Sequence, residues 1–261
     1  MIFQNKNILI TGIANRKSIA YLVAKDLEKR GAKLFLTFQN EEIQSKMKSY
    51  FSTAEFFILN VVDEKSIQDL KANLCNNKIT LHGFLHSIAF ANYSEGMKPF
   101  HETKLKDYLE ASQISAFSLV QICNELKNIF DTKASVVTVS ISNNRATNYG
   151  YMGPIKASLD AMVAYLAKSF SQFSEIRFNS VNSGPLKTSA SAGIPGYIEN
   201  YLYAEQLTMR HRALETSEVS NTIVFLLSDY SSGINASNLL VDAGMSANYF
   251  DEQAVMKFNK N

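Results

Sequence analysis

An α/β chain built on a doubly wound parallel sheet is the fold class this sequence predicts, and three observations predict it. Short apolar runs rich in β-branched and aromatic residues recur along nearly the whole chain. Amphipathic helical stretches separate them, so each strand reaches the next through a crossover and the two lie parallel. The first run ends in a glycine that turns straight into a helix. With 261 residues and 46% hydrophobic content the chain can bury a full core. No repeat, low-complexity segment or linker divides it, so residues 1–261 are expected to form one domain.

The elements follow in order. Asn-Ile-Leu-Ile-Thr at 7–11 reads as a buried strand ending at Gly12, and the helix after it runs to a stop at Gly31. A strand, a tight glycine turn and a helix N-terminus make a phosphate cradle, because the first helical N–H groups lack partners and the dipole favours an anion. The usual dinucleotide fingerprint has three glycines. Only Gly12 is kept here, with Ser18 and Ala20 where later glycines would be sought. Ser18 either lends a hydroxyl to the cradle or caps the helix. The second strand, 33–38, ends in Gln39 and Asn40. An acid at this strand end selects NAD and a nearby arginine favours NADP. Gln39, followed by Glu41 and Glu42 with no arginine close by, offers a 2′-phosphate little positive charge, which points to NADH. The two glutamates equally suit the first turn of the next helix.

Residues 55–59 form a third strand leading to Asn60 and Val61, and a helix over 63–74 places Ile67, Leu70 and Leu74 on one face. A fourth strand, 82–87, runs into Ile88 and Ala89, and its His86 reads as a structural histidine within an apolar run. A long helical region is expected over 104–130, a fifth strand over 134–140, a sixth over 177–181 and a last one over 238–242. Residues 189–212, with Tyr197, Tyr201 and Tyr203, suit either a small helical lid over an apolar pocket or an ordinary pair of surface helices. Thr216, or Ser217 before Glu218, signals the cap of a further helix. Ligands of such sheets bind outside the carboxyl ends of the strands. Gly12, Gln39, Asn60, Ser87, Ser140 and Ser183 all fall at those ends.

Tyr149 and Lys156 stand seven residues apart where a helix is expected to begin. On one helix, seven steps of 100° return to nearly the same face. A lysine cation beside a phenol lowers its pKa and assists proton transfer. Other function classes find less support. A formal net charge of +2 offers no nucleic-acid footprint. Cys75 and Cys123 follow no metal spacing and read as reduced, partly buried thiols of a reducing compartment. The first six residues lack a basic-then-apolar leader, and no apolar run is long enough for a bilayer, which together predict a soluble cytoplasmic protein.

The ordered set of motifs resembles the short-chain dehydrogenase/reductases and, within them, a divergent enoyl-acyl-carrier-protein reductase of bacterial fatty acid synthesis. The likeness spans about residues 6–247. It rests on Gly12-Ile-Ala-Asn with Ser18-Ile-Ala, Gln39, His86-Ser-Ile-Ala-Phe-Ala91, Met152-Gly with Lys156-Ala-Ser-Leu159, Ser183-Gly-Pro-Leu-Lys-Thr188 and Val241-Asp-Ala-Gly244. Common members of the superfamily carry Tyr and Lys four apart; this branch carries them seven apart. The resemblance implies a Rossmann-type sheet and NADH-dependent reduction of trans-2-enoyl thioesters. Gly12, Ile13, Ser18 and Ile19 would hold the pyrophosphate, and Gln39, Asn60 and Val61 the adenosine. Ser87, Ile88 and Ala89 would lie along the cofactor, Lys156 on the nicotinamide ribose, and Leu186 and Thr188 on the carboxamide. Tyr149 would bond the thioester carbonyl, with Ala89, Ile141 and Tyr197 shaping the substrate site under the 189–212 lid. A homotetramer acting on carrier-protein-linked substrate is also implied.

Two departures stand out. The family places an aromatic residue after the fifth strand, where this chain has Ile141, and it favours Asp where this chain has Asn60. Ser140 or Ser142 beside Tyr149 would suit a carbonyl reductase or another activated-alkene reductase of the same fold. A non-catalytic dinucleotide-binding relative is the further alternative.

Overall fold

In the computed structural model, which describes residues 2–141, 147–188, 191, 193–248 and 250–258, seven strands form one sheet. They are β1 (Asn7–Ile10), β2 (Lys33–Phe38), β3 (Glu55–Ile58), β4 (Leu81–His86), β5 (Phe130–Ile141), β6 (Arg177–Ser183) and β7 (Ser237–Val241). Their order is β3-β2-β1-β4-β5-β6-β7, and every neighbouring pair is parallel. The chain runs outward from β1 through β2 to β3, then returns to β4 on the other side of β1. That reversal makes the crevice at the carboxyl ends of β1 and β4 the expected ligand site.

The period-two alternation of the strands feeds two cores. Leu9, Phe35, Phe84, Val136 and Phe178 point to one face, where α3 (Glu64–Asn76), α4 (Leu105–Ser112), α5 (Ser118–Leu126) and α6 (Met152–Phe170) cover them. Ile8, Ile10, Leu34, Leu36, Leu85, Val137 and Val181 point to the other, beneath α1 (Ile19–Lys29), α2 (Glu41–Lys48) and α8 (Thr216–Leu227). Each such side chain contributes about 1.5–3 kcal/mol by leaving water, which is why both faces of the central strands are apolar. Two further helices, α7 (Tyr197–Leu207) and α9 (Glu252–Phe258), lie outside these layers.

Several boundaries differ from the sequence expectations for local reasons. The 104–130 region is not one helix: a π-helical turn, Gln113–Phe117, separates α4 from α5. The widened turn brings Ser115 to the loop after β4, where its hydroxyl donates to the Phe90 carbonyl at 3.0 Å and accepts the Phe90 N–H at 2.8 Å. Strand β5 starts earlier, at Phe130, because Phe130 pairs with Leu81 before the register shifts to Gly83 with Ser135. The polar stretch 131–133 hides that start from any periodicity argument. The N-cap of α8 is Glu215, not Thr216 or Ser217: the Glu218 carboxylate accepts the Glu215 N–H at 2.8 Å. Cys75 is exposed, whereas Cys123 is buried. Among the described residues no helix is long and apolar enough to cross a membrane.

Candidate active site

One cavity of about 1270 Å³ opens along the carboxyl ends of the strands. The residues expected at those ends all line it. Gly12, Ile13, Ser18 and Ile19 come from the β1–α1 turn, Gln39 from the end of β2, and Asn60 and Val61 from the end of β3. Ser87, Ile88 and Ala89 follow β4, Ile141 closes β5, and Tyr149, Lys156, Leu186, Thr188 and Tyr197 complete the far half.

The dinucleotide end has a built-in close approach. Gly12 has φ +88°, and a Cβ there would lie 1.9 Å from the Ser87 carbonyl oxygen. Only glycine lets the β1 and β4 loops touch. Ser18 caps α1, its Oγ accepting the Tyr21 N–H at 3.3 Å. The N–H groups of Ile19 and Ala20 have no intrahelical acceptor, and the first turn carries no acid to compete for an anion. At the end of β2, Asn40 caps α2 by accepting the Ile43 N–H at 2.9 Å, and Glu42 pairs with Lys46 at 2.5 Å. The glutamates therefore serve the helix. Asn60 uses its side-chain oxygen on the Val62 N–H at 3.3 Å, closing a turn after β3. Among the described residues, Lys156 is the only cation lining the cavity.

Tyr149 and Lys156 reach one cavity by a route the sequence did not show. Tyr149 lies in a 3-10 turn, Thr147–Tyr149, and α6 begins only at Met152. Between them Gly150 has φ +57°, which ends any continuous helix. The seven-residue interval is thus one turn folded against the start of α6, not two turns of one face. Pro154 sits in the first turn of α6, where its missing N–H costs nothing. The phenol's ionisation also runs opposite to expectation. Burial pushes the Tyr149 pKa up to about 12, with Tyr197 adding to the shift, so the side chain stays a protonated donor. Lys156 is 4% exposed and its Nζ donates to the Val139 carbonyl at 3.0 Å. Burial draws its pKa down to about 8, against the pull of the Asp160 carboxylate.

Around this pair, Ser140 is buried and its hydroxyl donates to the Lys156 carbonyl of α6 at 3.3 Å. Ser142 lies outside the described residues. Tyr197, on the first turn of α7, turns its ring to the cavity, but its hydroxyl is engaged with Leu186: it donates to the carbonyl and accepts the N–H, both at 2.8 Å. Thr188 donates its N–H to Ser191 at 2.8 Å. His86 is the structural histidine expected, with Nδ1 2.9 Å from Thr138 and Nε2 2.9 Å from Ser118. The Ser118 hydroxyl donates to the Ile114 carbonyl at 2.7 Å, so Nε2 carries the proton that reaches Ser118. Met97, Glu110 and Ile114 line the opposite wall. They went unnoticed because none of them belongs to a motif.

A cavity with an anion-binding turn at one end and a phenol, an ammonium and apolar walls at the other can hold a dinucleotide beside a carbonyl compound. The comparisons with known proteins agree. Residues 12–246 match the family model described as enoyl-(acyl carrier protein) reductase. The NADH-named enoyl-[acyl-carrier-protein] reductase of Nostoc is 35% identical over 247 residues, covering 92% of this chain and 95% of that one. The NADPH-named enzyme of Staphylococcus aureus is 32% identical over 251 residues, covering 94% and 98%. The crystal structure of the Anaplasma phagocytophilum enoyl-(acyl-carrier-protein) reductase in complex with NAD superposes with a TM-score of 0.90 at 26% identity, covering 97% of this chain and 98% of that one. The Aquifex aeolicus NADH enzyme gives 0.89 at 28%, covering 96% and 100%. With its sheet order, its strand-end cavity and a family match over nearly its whole length, the chain belongs to the enoyl-(acyl carrier protein) reductase family.

Proposed function

We propose that this protein reduces the 2,3 double bond of trans-2-enoyl thioesters carried on acyl carrier protein, with NADH as cofactor. The observation that carries the reading is the cavity along the strand ends, in which a protonated Tyr149 and a charged Lys156 lie between a dinucleotide-shaped end and an apolar end. The residues fit the cofactor: the bare Gly12 turn and the uncapped α1 N–H groups suit a pyrophosphate. Gln39 and Asn60, with no cation beside them on the cavity wall among the described residues, suit a ribose without a 2′-phosphate. Bound there, NADH supplies a hydride to the β-carbon of the substrate.

The protein's own part is electrostatic. As the thioester oxygen gains enolate charge, the Tyr149 phenol donates a hydrogen bond to it from a low-dielectric wall. Lys156 holds the ribose hydroxyls and adds a positive field. The aliphatic walls of Ile141, Ile194 and Leu207 exclude water from the acyl chain. Ile141, where the family resemblance implies an aromatic residue, gives that wall a different shape and supplies no second donor. The buried Ser140, held by α6, weighs against a carbonyl reductase that would need its hydroxyl free.

Segment 189–212, including α7, serves as the substrate lid in this reading. The exposed Leu105, Leu109 and Phe117 of the α4–α5 region and Tyr165 of α6 suit burial in a homotetramer. The cytoplasm is the proposed compartment, in keeping with two unpaired thiols. The decisive assay follows NADH oxidation by absorbance with trans-2-enoyl thioesters of several lengths, beside NADPH and a 3-ketoacyl thioester. Turnover confined to the enoyl series is expected. Turnover on the ketoacyl compound alone would replace the proposal with a carbonyl reductase, and NADH binding without any turnover would replace it with a non-catalytic relative.

A further inference from the structure

Asp160 lies one helical turn beyond Lys156 on α6, and both residues are buried, at 3% and 4% exposure. Residues four apart on a helix share a face, with Cβ atoms about 5–6 Å apart. The carboxylate is anchored from the sheet. Asn182 Nδ2 donates to one oxygen at 2.6 Å, and the Ser180 hydroxyl donates to the other at 3.0 Å. Asn182 spends its second hydrogen on the Ile141 carbonyl at 2.9 Å, so the same amide ties Asp160 to the end of β5.

Lys156 needs such a partner. Its hydrogen-bond acceptor, the Val139 carbonyl, is neutral and cannot balance an ammonium buried in the cavity wall. The groups around it from other elements are uncharged or engaged elsewhere. His86 on β4 feels the lysine but is held neutral between Thr138 and Ser118. Tyr149 is a protonated phenol. Strand β5 contributes Ser140, and the β6 and β7 groups beside Asp160, namely Ser180, Asn182 and Asn238, are uncharged. Of the described acids, Glu110 and Asp242 line the cavity itself, and the Asp242 carboxylate accepts the Gly244 and Ser246 N–H groups at 3.0 and 2.9 Å; the carboxylate whose charge acts on the lysine is that of Asp160.

We propose that Asp160 is the counter-ion of Lys156, a positioning residue that acts through the lysine by keeping its ammonium charged and directed at the cofactor end of the cavity. The inference rests on the reading of Lys156 as the cation that holds the cofactor's ribose. Burial lowers the lysine's pKa and Asp160 raises it. Without the carboxylate the ammonium is lost at lower pH, and the binding that depends on it goes with it.

The test titrates NADH, by its fluorescence, against the intact protein and Asp160→Asn between pH 6 and 9.5. The alkaline limb of affinity is expected to move down by about one pH unit. The gap between variant and wild type therefore widens with pH, and Asp160→Glu returns the limb toward its original place. A purely structural role would weaken binding equally at every pH. A folded Asp160→Asn protein with an unmoved limb overturns the inference. Should that variant not fold, an NMR titration of the Lys156 Cε in the unaltered protein decides. A midpoint at or above about 8 supports the counter-ion, and one below about 7 overturns it. Wild-type protein that binds no NADH at any pH defeats the cofactor reading itself, whereas wild-type binding with an unmoved limb in the variant defeats only the role of Asp160.

Discussion

In the proposed reaction a phenol that stabilises a developing enolate serves best while it keeps its proton, and burial keeps the proton on Tyr149. Its pKa of about 12 leaves it a donor throughout the working pH range. Tyr149→Phe removes the donor and little else. Turnover on enoyl thioesters should fall by about 10²-fold or more, while the NADH dissociation constant stays within a factor of about three. Lys156→Ala should weaken NADH binding as well. Equal turnover by both variants and wild type would show that the site is elsewhere. Gly12 is a second residue at which geometry allows one solution. At φ +88° and with a carbonyl oxygen 1.9 Å from a would-be Cβ, Gly12→Ala should lower unfolding stability by roughly 1–3 kcal/mol. It should also separate the β1 and β4 loops and abolish measurable NADH binding. Calorimetric binding by the alanine protein at wild-type affinity would contradict this.

At the scale of elements, the proposed lid is held by polar attachments on a largely exposed helix. Tyr197 clamps the start of α7 to both backbone groups of Leu186 at 2.8 Å. Lys187 lies 4.5 Å from the centroid of the Tyr201 ring one turn later. Most of the remaining α7 side chains are exposed, including Ile198, Leu202 and Tyr203. Tyr197→Phe keeps the ring and loses both hydrogen bonds, so α7 should open more readily. Limited proteolysis should cut within 193–212 several-fold faster than in wild type while the melting temperature of the sheet hardly moves. Equal cleavage rates would mean that the clamp does not hold the lid.

For the whole molecule, acid stability draws on an interior histidine. His86 is completely buried and its pKa is drawn down to about 3 by desolvation, with the Lys156 charge adding to it. The unfolded chain takes up a proton below its ordinary value of 6.5, and the folded chain refuses it. Stability from this source is therefore complete above that pH and is lost as pH falls, by up to about 1.4 kcal/mol per unit. Urea unfolding at pH 7.5, 6 and 5 should show this slope, and His86→Gln should flatten it. An unchanged slope would assign acid sensitivity to other groups. Assembly is the second property at this scale. Leu105 and Leu109 are 71% and 57% exposed, one turn apart on α4. Light scattering should find a tetramer, and Leu109→Lys should dissociate it; a wild-type monomer would remove assembly from the proposal.

The sheet was legible in the sequence because β-branched and aromatic runs at crossover spacing permit little else, and Gly12 and the strand ends followed from it. Ser18 as cap and His86 as a structural histidine were equally local matters. The placing of Tyr149 and Lys156 on one cavity was not local: a left-handed Gly150 and a 3-10 turn set it, not the continuous helix that the phase argument assumed. The raised phenol pKa, the clamp from Tyr197 to Leu186 and the Asp160 anchor on β6 likewise arise only where distant elements pack. Periodicity reports which face of an element is buried, whereas desolvation and partner geometry depend on what the other elements bring to that face. The sequence by itself determined the sheet and where its crevice must lie, and tertiary packing decided the charge states and contacts of the groups that line it.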